Sequence, residues 1–375
     1  MPTATVIKTN PMRILQITPF YEPRLGGVET HVRALNKELI KEGHQVSVLT
    51  QRYDKNLLSQ ETIDQVEVNR IDLERSYSNK LIEKLGIWQQ VAKKSALLLK
   101  ADMIHVHDVY WWLLPLLPLF WSKIYLTFHG WEGQFPVPLK NKLARWCWSK
   151  LALKTIHVGD YIQDFYWDKP DLVIYGGTEF LSKRSIKKMG KKLKIVFVGR
   201  LEAENDLKKY LLLAKKLKAS LDVEITWVGD GAYREDCLRY GRVTGMVKNL
   251  GKYLAGADLV WSASYLSILV AQARGKIVCA LYSHQLKEKY LESYPGANYM
   301  LVESNEEKMR KQIMELVETP TVFNQYSQRA QQWAQEQTWA KVANQYQRLW
   351  GFKRFASCVP ADFSALHLKK SGSVI

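Results

Sequence analysis

Short apolar runs alternate along this chain with longer segments in which apolar residues recur at helical spacing. The clearest case lies between residues 12 and 50. Met12–Thr18 has the composition of a buried strand, Val28–Lys41 has the spacing of a helix, and Gln45–Thr50 is a second strand. This order predicts an open α/β sheet with a ligand crevice at the ends of its strands.

A pair of glycines, Gly26 and Gly27, stands just before the first predicted helix. Glycine lets the backbone approach a ligand closely, and the N-terminus of a helix favours an anion. A lone glycine pair more often only makes a turn. The preceding loop, Pro19–Leu25, is long for a strand-to-helix connection, which favours a ligand-binding role.

The remainder of the first half continues the alternation, which predicts a mostly parallel sheet wrapped by helices. The predicted helices are Leu81–Lys100 and Pro138–Leu153. The predicted strands are Met103–Val106, Ile124–Phe128, Thr155–Val158 and Leu172–Ile174.

A second α/β unit begins after the basic segment 181–194, which is the best candidate for a linker. No sequence repeat is evident, so the pattern predicts two similar domains. The predicted elements are the strands Ile195–Val198, Val223–Val228, Asp258–Ser262 and Ile277–Tyr282 and the helices Leu207–Leu217, Lys308–Val317, Phe323–Glu336 and Thr338–Trp350.

The length and charge of the chain limit the number of domains and the classes of partner that we expect. A chain of 375 residues with 47% hydrophobic residues is expected to form two globular domains. Its net charge of +17 favours an anionic partner, such as nucleic acid, acidic lipid headgroups or a phosphorylated substrate, unless it only solvates the surface. No nucleic-acid-binding module is recognisable, so nucleic acid is not an expected partner.

Cysteine spacing and the N-terminus point to a cytosolic protein. Cys147, Cys237, Cys279 and Cys358 are far apart and lack metal-ligand spacing, so they are expected to be reduced thiols. The first eleven residues have no apolar stretch and do not form a signal peptide.

The segment Tyr110–Trp121, YWWLLPLLPLFW, is the most membrane-like part of the chain. It is far shorter than the roughly 20 apolar residues that span a bilayer. Buried packing is the expected role, and contact with a membrane interface is the alternative that its tryptophans suggest.

Four segments together resemble the family 4 glycosyltransferases. They are PFYEPRLGGVETHV, IHVHD followed by LTFHGWEG, IVFVGRL, and the closing run TWAKVANQYQRLW. WVGDGAYRE and GADLVWSAS stand between them in the expected order, and the resemblance covers residues 12 to 350.

This resemblance implies an α/β protein with the GT-B fold. Two Rossmann-like domains would enclose a deep interdomain cleft, and a C-terminal helix would return to the N-terminal domain. The expected divisions are a disordered extension at 1–11, an acceptor-binding domain at 12–180, the linker at 181–194, a donor-binding domain at 195–335, the returning helix at 336–352 and a tail at 353–375.

The resemblance also implies a nucleotide-sugar donor in the second domain and an acceptor in the first. Neither a metal nor a cofactor is expected, because positive charge and backbone N–H groups stabilise the leaving diphosphate. Arg200 would bind it with its planar guanidinium. The implied donor-binding residues are Gly26, Gly27, Arg200, Gly229, Ser264 and Ser267.

His129 is the implied catalytic residue, because it matches the family histidine that lies near the transferred sugar. Glu29 and Glu132 are nearby carboxylates that would orient acceptor hydroxyls. The family retains anomeric configuration and needs no base of the inverting kind. His31, His105 and His107 are weaker candidates, since two histidines with Asp108 are a poor metal signal.

Two donor-site features of the family are missing. The Lys-Gly pair that follows the G-R-L motif is replaced by Asn205 and Asp206, and the glutamate that contacts the ribose is replaced by Val270. Serines at 262, 264 and 267 could hold the donor instead. A lipid-linked sugar phosphate as donor is a second explanation, and loss of catalysis is a third.

The sequence therefore predicts a cytoplasmic, retaining hexosyltransferase that acts in envelope or exopolysaccharide assembly. Its expected partners are a nucleotide-sugar and a glycan or lipid-linked acceptor, with an anionic membrane surface at the inner face as a further candidate. The alternative is a catalytically impaired GT-B protein that binds a glycan or another protein.

Overall fold

The computed structural model of the protein describes residues 11–73, 80–179 and 192–351. Two β-sheets follow one another along the chain, and helices connect their strands. The predicted N-terminal extension, apart from Pro11, lies outside the described residues, as do the tail and most of the predicted linker.

The first sheet has eight strands in the order β3-β4-β2-β1-β5-β6-β7-β8, and all neighbours are parallel except β3 and β4. A 3₁₀ helix at Tyr110–Leu116 precedes α4, and another at Trp121–Lys123 follows it. The strands and helices are β1 (Arg13–Ile17), α1 (Gly27–Lys41), β2 (Gln45–Gln51), β3 (Gln60–Ile63), β4 (Val66–Ile71), α2 (Lys80–Lys93), α3 (Ser95–Lys100), β5 (Met103–His107), α4 (Leu117–Phe120), β6 (Ile124–Phe128), α5 (Leu139–Leu151), β7 (Lys154–Val158), α6 (Tyr161–Phe165) and β8 (Leu172–Ile174).

The second sheet is parallel throughout, with its six strands in the order β11-β10-β9-β12-β13-β14. Its elements are β9 (Leu193–Val198), α7 (Leu207–Lys218), β10 (Val223–Val228), α8 (Arg234–Leu238), β11 (Arg242–Gly245), α9 (Leu250–Gly256), β12 (Leu259–Trp261), α10 (Tyr265–Gln272), β13 (Ile277–Leu281), α11 (Gln285–Glu292), β14 (Met300–Glu303), α12 (Glu306–Glu318), α13 (Pro320–Gln335) and α14 (Trp339–Leu349).

In each sheet, the direction in which successive strands are added changes once. The strand order turns between β1 and β5 in the first sheet and between β9 and β12 in the second. Right-handed crossovers therefore place helices on both faces of each sheet. A crevice opens at such a reversal, beyond the carboxyl ends of the strands, and this position is where ligands bind in open α/β sheets.

The last helix, α14, leaves the second domain and packs on the first. Thr178 and Thr338 form a β-bridge where the chain crosses over. The Tyr346 hydroxyl lies 3.1 Å from Nε2 of His31 and 3.3 Å from Oγ1 of Thr127, and all three side chains are buried. Together with the two sheets, this return establishes the predicted fold class.

Three predicted elements differ from the structure. The single helix expected at 81–100 breaks at Lys94, whose backbone leaves helical geometry and whose ammonium group donates to Asn69. Strand β9 begins at Leu193, inside the expected linker, because Leu193 is buried and pairs with Val223. The segment Tyr110–Trp121 is only partly buried.

Replacing Tyr346 with phenylalanine should destabilise the protein, because His31 then loses a buried hydrogen-bond partner. We expect the free energy of unfolding to fall by about 1–3 kcal/mol, measured by urea denaturation followed by circular dichroism. The control is Tyr299→Phe, a half-buried tyrosine of the second domain, which should change little. Equal losses in the two variants would contradict the role given to the Tyr346 hydroxyl.

Candidate functional site

The reversal points of the two sheets face each other and bring most of the predicted site residues together. The loop after β1 ends at Gly26, Gly27 begins α1, and Asp108 follows β5. On the other side, Arg200 follows β9 and Ser264 follows β12. His129 follows β6, which is the next strand of the first sheet.

The glycine loop of the first domain is covered by the side chain of Glu29. A β-carbon at Gly26 would collide with the Glu29 carboxylate, whereas nothing stands within 4 Å of a β-carbon at Gly27. Gly26 has extended backbone geometry (φ −169°), so it provides room rather than an unusual turn. The space that glycine leaves at the start of α1 therefore holds a carboxylate of the protein itself.

Glu29 links the two domains electrostatically. Burial raises the pKa of its carboxyl group, while its own backbone N–H and the guanidinium groups of Arg24 and Arg200 oppose this rise. Nε of Arg24 lies 3.5 Å from Oε1 of Glu29. Arg200 belongs to the second domain, so its influence shows that the glycine loop and the G-R-L motif face one another.

His129 lies at the end of a short chain of buried hydrogen bonds. Its Nε2 is 2.8 Å from Nδ1 of His107, and Nε2 of His107 is 2.8 Å from Oε1 of Gln16. Burial lowers the pKa of His129 to about 3. The imidazole is therefore neutral at physiological pH and can form hydrogen bonds with a sugar, but it carries no positive charge.

Two of the weaker candidates, His31 and His105, support α14. His105 is 2.7 Å from the Thr127 hydroxyl, and His31 contacts Tyr346. Burial lowers the pKa of both rings well below its usual value. Within the described ranges, no group of three or more His, Cys, Asp or Glu side chains is arranged to hold a metal ion.

Asp108 fixes the backbone at the catalytic candidate. Its Oδ1 accepts a hydrogen bond from the backbone N–H of His129 at 2.9 Å. Asp108 itself has a left-handed backbone (φ 63°), which directs its side chain back toward the end of β6. Burial raises the pKa of this carboxyl group to about 6.

Glu132, predicted to bind the acceptor, is already held by two side chains of its own domain. Its Oε1 is 3.0 Å from Nε of Arg145, and its Oε2 accepts a hydrogen bond from the Tyr166 hydroxyl. Arg145 is buried, donates to the carbonyl of Gly130 and stacks 3.9 Å from the centre of the Tyr166 ring. Glu132 therefore anchors the loop after β6 and keeps only part of its carboxylate for a ligand.

Arg200 is exposed and paired with an acidic neighbour. Its guanidinium forms an ion pair with Glu204, and the side chain is 68% exposed. The side-chain amide of Asn205 donates to the Arg200 carbonyl at 2.8 Å. Lys209 bonds to Ser304 and Glu306, so it points away from Arg200.

A buried lysine that the sequence reasoning missed lies close to this ion pair. Lys287, in the first turn of α11, is only 4% exposed. Burial lowers its pKa, and the nearby carboxylates of Asp206 and Glu204 oppose this shift. Oδ2 of Asp206 is buried without a hydrogen-bond partner among the described residues. No local pattern reveals Lys287, because Asp206 lies on a distant part of the chain.

The start of α10 is capped by a tyrosine of α11. The backbone N–H of Tyr265 donates to the Tyr290 hydroxyl at 2.9 Å, and the two rings stack 4.0 Å apart. Ser264 is the N-cap residue but makes no side-chain capping bond. The hydroxyl of Ser262 is buried and donates to the carbonyl of Val198, so Ser262 is the least suited of the candidate serines to hold a donor.

Gly229 has a packing role that its sequence motif did not reveal. Its φ is +153°, and a β-carbon there would collide with the carbonyl of Gly199. Its backbone N–H donates to Gly245 at 3.1 Å. This glycine therefore allows the loops after β9 and β10 to meet.

Aromatic side chains join the two domains beside the site. Tyr161 of the first domain lies 4.9 Å from Tyr290 and 6.3 Å from Tyr265, measured between ring centres. The ring of Phe135, in the loop after β6, stacks 4.7 Å from that of His284 at the N-cap of α11. These contacts hold the two domains together beside the candidate site.

Comparisons with known proteins cover both domains. Residues 25–170 match the family model described as Glycosyltransferase Family 4, and residues 192–319 match the model described as Glycosyl transferases group 1. The uncharacterized glycosyltransferase MJ1069 of Methanocaldococcus jannaschii is 23% identical over 394 residues, an alignment that covers 90% of this chain and 98% of that protein.

Solved structures share the fold over nearly the whole chain. Sucrose-phosphate synthase from Thermosynechococcus elongatus superimposes with a TM-score of 0.71 at 15% identity, covering 91% of this chain and 98% of that one. Anabaena HepE in complex with UDP and glucose gives a TM-score of 0.68 at 16% identity, covering 90% and 98%.

At pH 7, the Asp108→Asn variant should be more stable than the wild-type protein. At pH 4 the difference between the two proteins should be smaller. The folded-state pKa near 6 lies above the ordinary value of 3.8, so the wild-type free energy of unfolding falls as pH rises through this interval. Asparagine removes the buried charge and keeps the acceptor for the His129 N–H. The gain at pH 7 is on the order of 1–3 kcal/mol.

Thermal unfolding of the two proteins from pH 4 to pH 8 checks this expectation. A difference in midpoint that stays constant across the range would show that Asp108 does not titrate as its burial implies.

Proposed function

The chain belongs to the family 4 glycosyltransferases of the GT-B fold, and we propose that it transfers a sugar with retention from a nucleotide-diphosphate donor. The donor occupies the second domain, and a glycan or lipid-linked acceptor occupies the first. Positions around His129 receive the transferred sugar, and Glu29 and Glu132 contact acceptor hydroxyls.

The observation that carries this proposal is the opposition of Arg200 and the glycine loop across the two reversal points. A β-carbon at Gly133 of the first domain would lie 3.5 Å from Oε2 of Glu204, the ion-pair partner of Arg200. Arg200 is also near enough to Glu29 for its charge to oppose the rise in the pKa of that carboxyl group. A diphosphate placed between them would meet a guanidinium from one domain and the start of α1 from the other. Both groups stabilise negative charge, which builds up on the diphosphate as the sugar leaves.

Lys287 supplies the second cation that the sequence motif lacks. The family lysine is replaced by Asn205, but Lys287 reaches the neighbourhood of Arg200 from α11. Its low exposure means that little water competes for the ammonium group. We therefore assign to Lys287 the charge compensation that the family lysine provides.

In the structure, carboxylates of the protein itself lie against the groups that would bind the diphosphate. Glu204 pairs with Arg200, and Glu29 covers the glycine loop. Donor binding exchanges these carboxylates for phosphate oxygens, so Glu29 moves away from the loop and becomes available to the acceptor. This exchange leaves Arg200 paired with an anion in both states.

Retention is proposed from the family to which the chain belongs, and the state of Glu132 and His129 agrees with it. Glu132 is bonded to Arg145 and Tyr166. The pKa of His129, about 3, makes it a weak base. An inverting transfer needs a carboxylate or imidazole that is ready to take the proton of the acceptor hydroxyl.

Uridine nucleotides are the first donors to test, because HepE, which shares the fold, has been solved with UDP and with UDP-glucose. No metal enters the proposed mechanism. The exposed apolar side chains of the first domain, among them Leu119 and Trp121, suit a lipid-linked acceptor, so we place the reaction in envelope or exopolysaccharide assembly at the cytoplasmic face of a membrane.

The donor proposal is tested by calorimetric titration with UDP- and GDP-sugars, together with thermal shift measurements. Arg200→Ala and Lys287→Met should each weaken donor binding about 10- to 100-fold, because each removes a charge-assisted contact. The control is Lys208→Met, an exposed lysine in the first turn of α7, which should bind the donor as wild type does.

No binding of any nucleotide-sugar at millimolar concentration would overturn the proposal and favour the alternative of a binding module. Wild-type affinity in Lys287→Met would remove Lys287 from the site while leaving Arg200 in place. Where turnover is found, the anomeric configuration of the product, read by nuclear magnetic resonance, tests retention.

A further inference from the structure

One face of the first domain exposes an unusual number of large apolar side chains. We call it the α5 face, after its longest uninterrupted apolar stripe. Of the eighteen exposed large hydrophobic side chains among the described residues, eleven lie in α2, α3, α4 and α5 or directly beside them. They are Ile82, Leu85, Leu99, Leu114, Leu119, Trp121, Leu139, Leu143, Trp146, Leu151 and Leu153.

The elements of the α5 face lie side by side. Nε1 of Trp88 in α2 donates to the Trp111 carbonyl at 2.8 Å, which joins α2 to the first 3₁₀ helix. The rings of Tyr110 and Trp148 are 4.8 Å apart, which joins the same 3₁₀ helix to α5. The ammonium of Lys123 bonds to the Leu98 carbonyl of α3 at 2.8 Å. The exposed side chains therefore form one surface.

Several of these side chains are more than half exposed to solvent. Leu119 is 72% exposed, Trp121 is 60% exposed and Leu139 is 66% exposed. In α5, Leu139, Leu143 and Trp146 fall at i, i+4 and i+7, so they line one side of the helix. A contiguous apolar surface of this kind marks an interaction site.

Charge identifies the class of partner. Between residues 109 and 159 the chain has six Lys and Arg residues but a single acid, Glu132, which is bonded to Arg145. Lys140 and Lys150 are exposed on α5 beside its apolar stripe. The combination of exposed leucine and tryptophan with lysine matches the headgroup region of an anionic bilayer.

Other occupants fit this surface less well. A second copy of the chain would place one lysine-rich surface against another, which is electrostatically unfavourable. Nucleic acid would leave the leucines without an apolar partner. Within the described parts of the chain, every helix is too short or too polar to cross a lipid bilayer.

We propose that the α5 face docks on an anionic lipid bilayer. Leu119, Trp121 and the stripe of α5 enter the interfacial region, and the lysines contact acidic headgroups. The proposal rests on the proposed function only for its consequence, which is access to a lipid-borne acceptor.

That consequence follows from the direction of α5. Strand β6 ends at the candidate site, and the loop that carries His129 and Phe135 leads directly to Leu139 at the start of α5. The surface that contacts the membrane therefore reaches the entrance of the interdomain cleft. An acceptor with an acyl or polyprenyl anchor can remain in the bilayer while its polar head reaches His129.

Flotation of the full-length protein with vesicles tests the proposal. We expect binding to phosphatidylglycerol/phosphatidylethanolamine vesicles, weaker binding as salt rises, and little binding to phosphatidylcholine. Leu119→Ser/Trp121→Ser and Lys140→Glu/Lys150→Glu should each lower the partition coefficient by about tenfold or more. The matched control, Leu212→Ser/Leu238→Ser, removes two exposed leucines of the second domain and should float as wild type does.

Two results would overturn the proposal. One is a lack of binding to anionic vesicles at low salt, or binding that both α5-face variants retain. The other is reversible dimerisation in sedimentation velocity that Leu119→Ser/Trp121→Ser abolishes, which would assign the face to a second copy. The donor affinity of the α5-face variants should equal that of wild type whether or not the protein binds lipid. Donor titration of these variants therefore distinguishes failure of the lipid proposal from failure of the proposed function.

Discussion

The packing of Tyr161 against Tyr265 and Tyr290 determines how the two halves of this protein meet. The stacked pair belongs to the second domain, and Tyr161 of the first lies against it. Gly159 is required at the same place, since its φ is +98° and a β-carbon would come within 2.7 Å of Tyr265. Because the sheets approach at this contact, the ends of their central strands face each other across a narrow gap. The opposition of Arg200 and the glycine loop depends on that approach.

The acidic residues around the cations bear on the proposed donor site, in which the usual lysine and glutamate of the family are replaced. A buried cation needs an anion nearby. Asp206 and Glu204 provide it for the buried Lys287, and Glu204 also pairs with the exposed Arg200. A diphosphate carries the same charge and can take their place without leaving a buried charge unpaired. The second domain is therefore compatible with transfer chemistry, although its sequence motif differs from that of its relatives.

The sequence predicted strands well where the buried residues are nearly all apolar. Ile124–Phe128 is apolar except for Thr127, and its prediction is confirmed to the residue. Strand β3, Gln60–Ile63, was missed because an exposed edge strand has no such run. The buried strand β4 was missed because Glu67, Asn69 and Arg70 interrupt its apolar residues. The family motif indicated Arg200, but Lys287 could not be found in this way, because its proximity to Asp206 arises only from the crossover of α11. Local patterns record burial, whereas contacts between distant segments require the folded chain.

The hydrogen bonds that connect Gln16, His107 and His129 determine which ring nitrogen of His129 carries a hydrogen. A neutral imidazole carries hydrogen on one nitrogen only. As the structure orients Gln16, its amide oxygen accepts from Nε2 of His107, so Nδ1 of His107 accepts from Nε2 of His129. Nδ1 of His129 then carries a lone pair, which can accept a hydrogen bond from a sugar hydroxyl but cannot donate one. The tautomer of the proposed catalytic residue is thus selected by an amide buried in strand β1, and rotation of that amide by half a turn would reverse it.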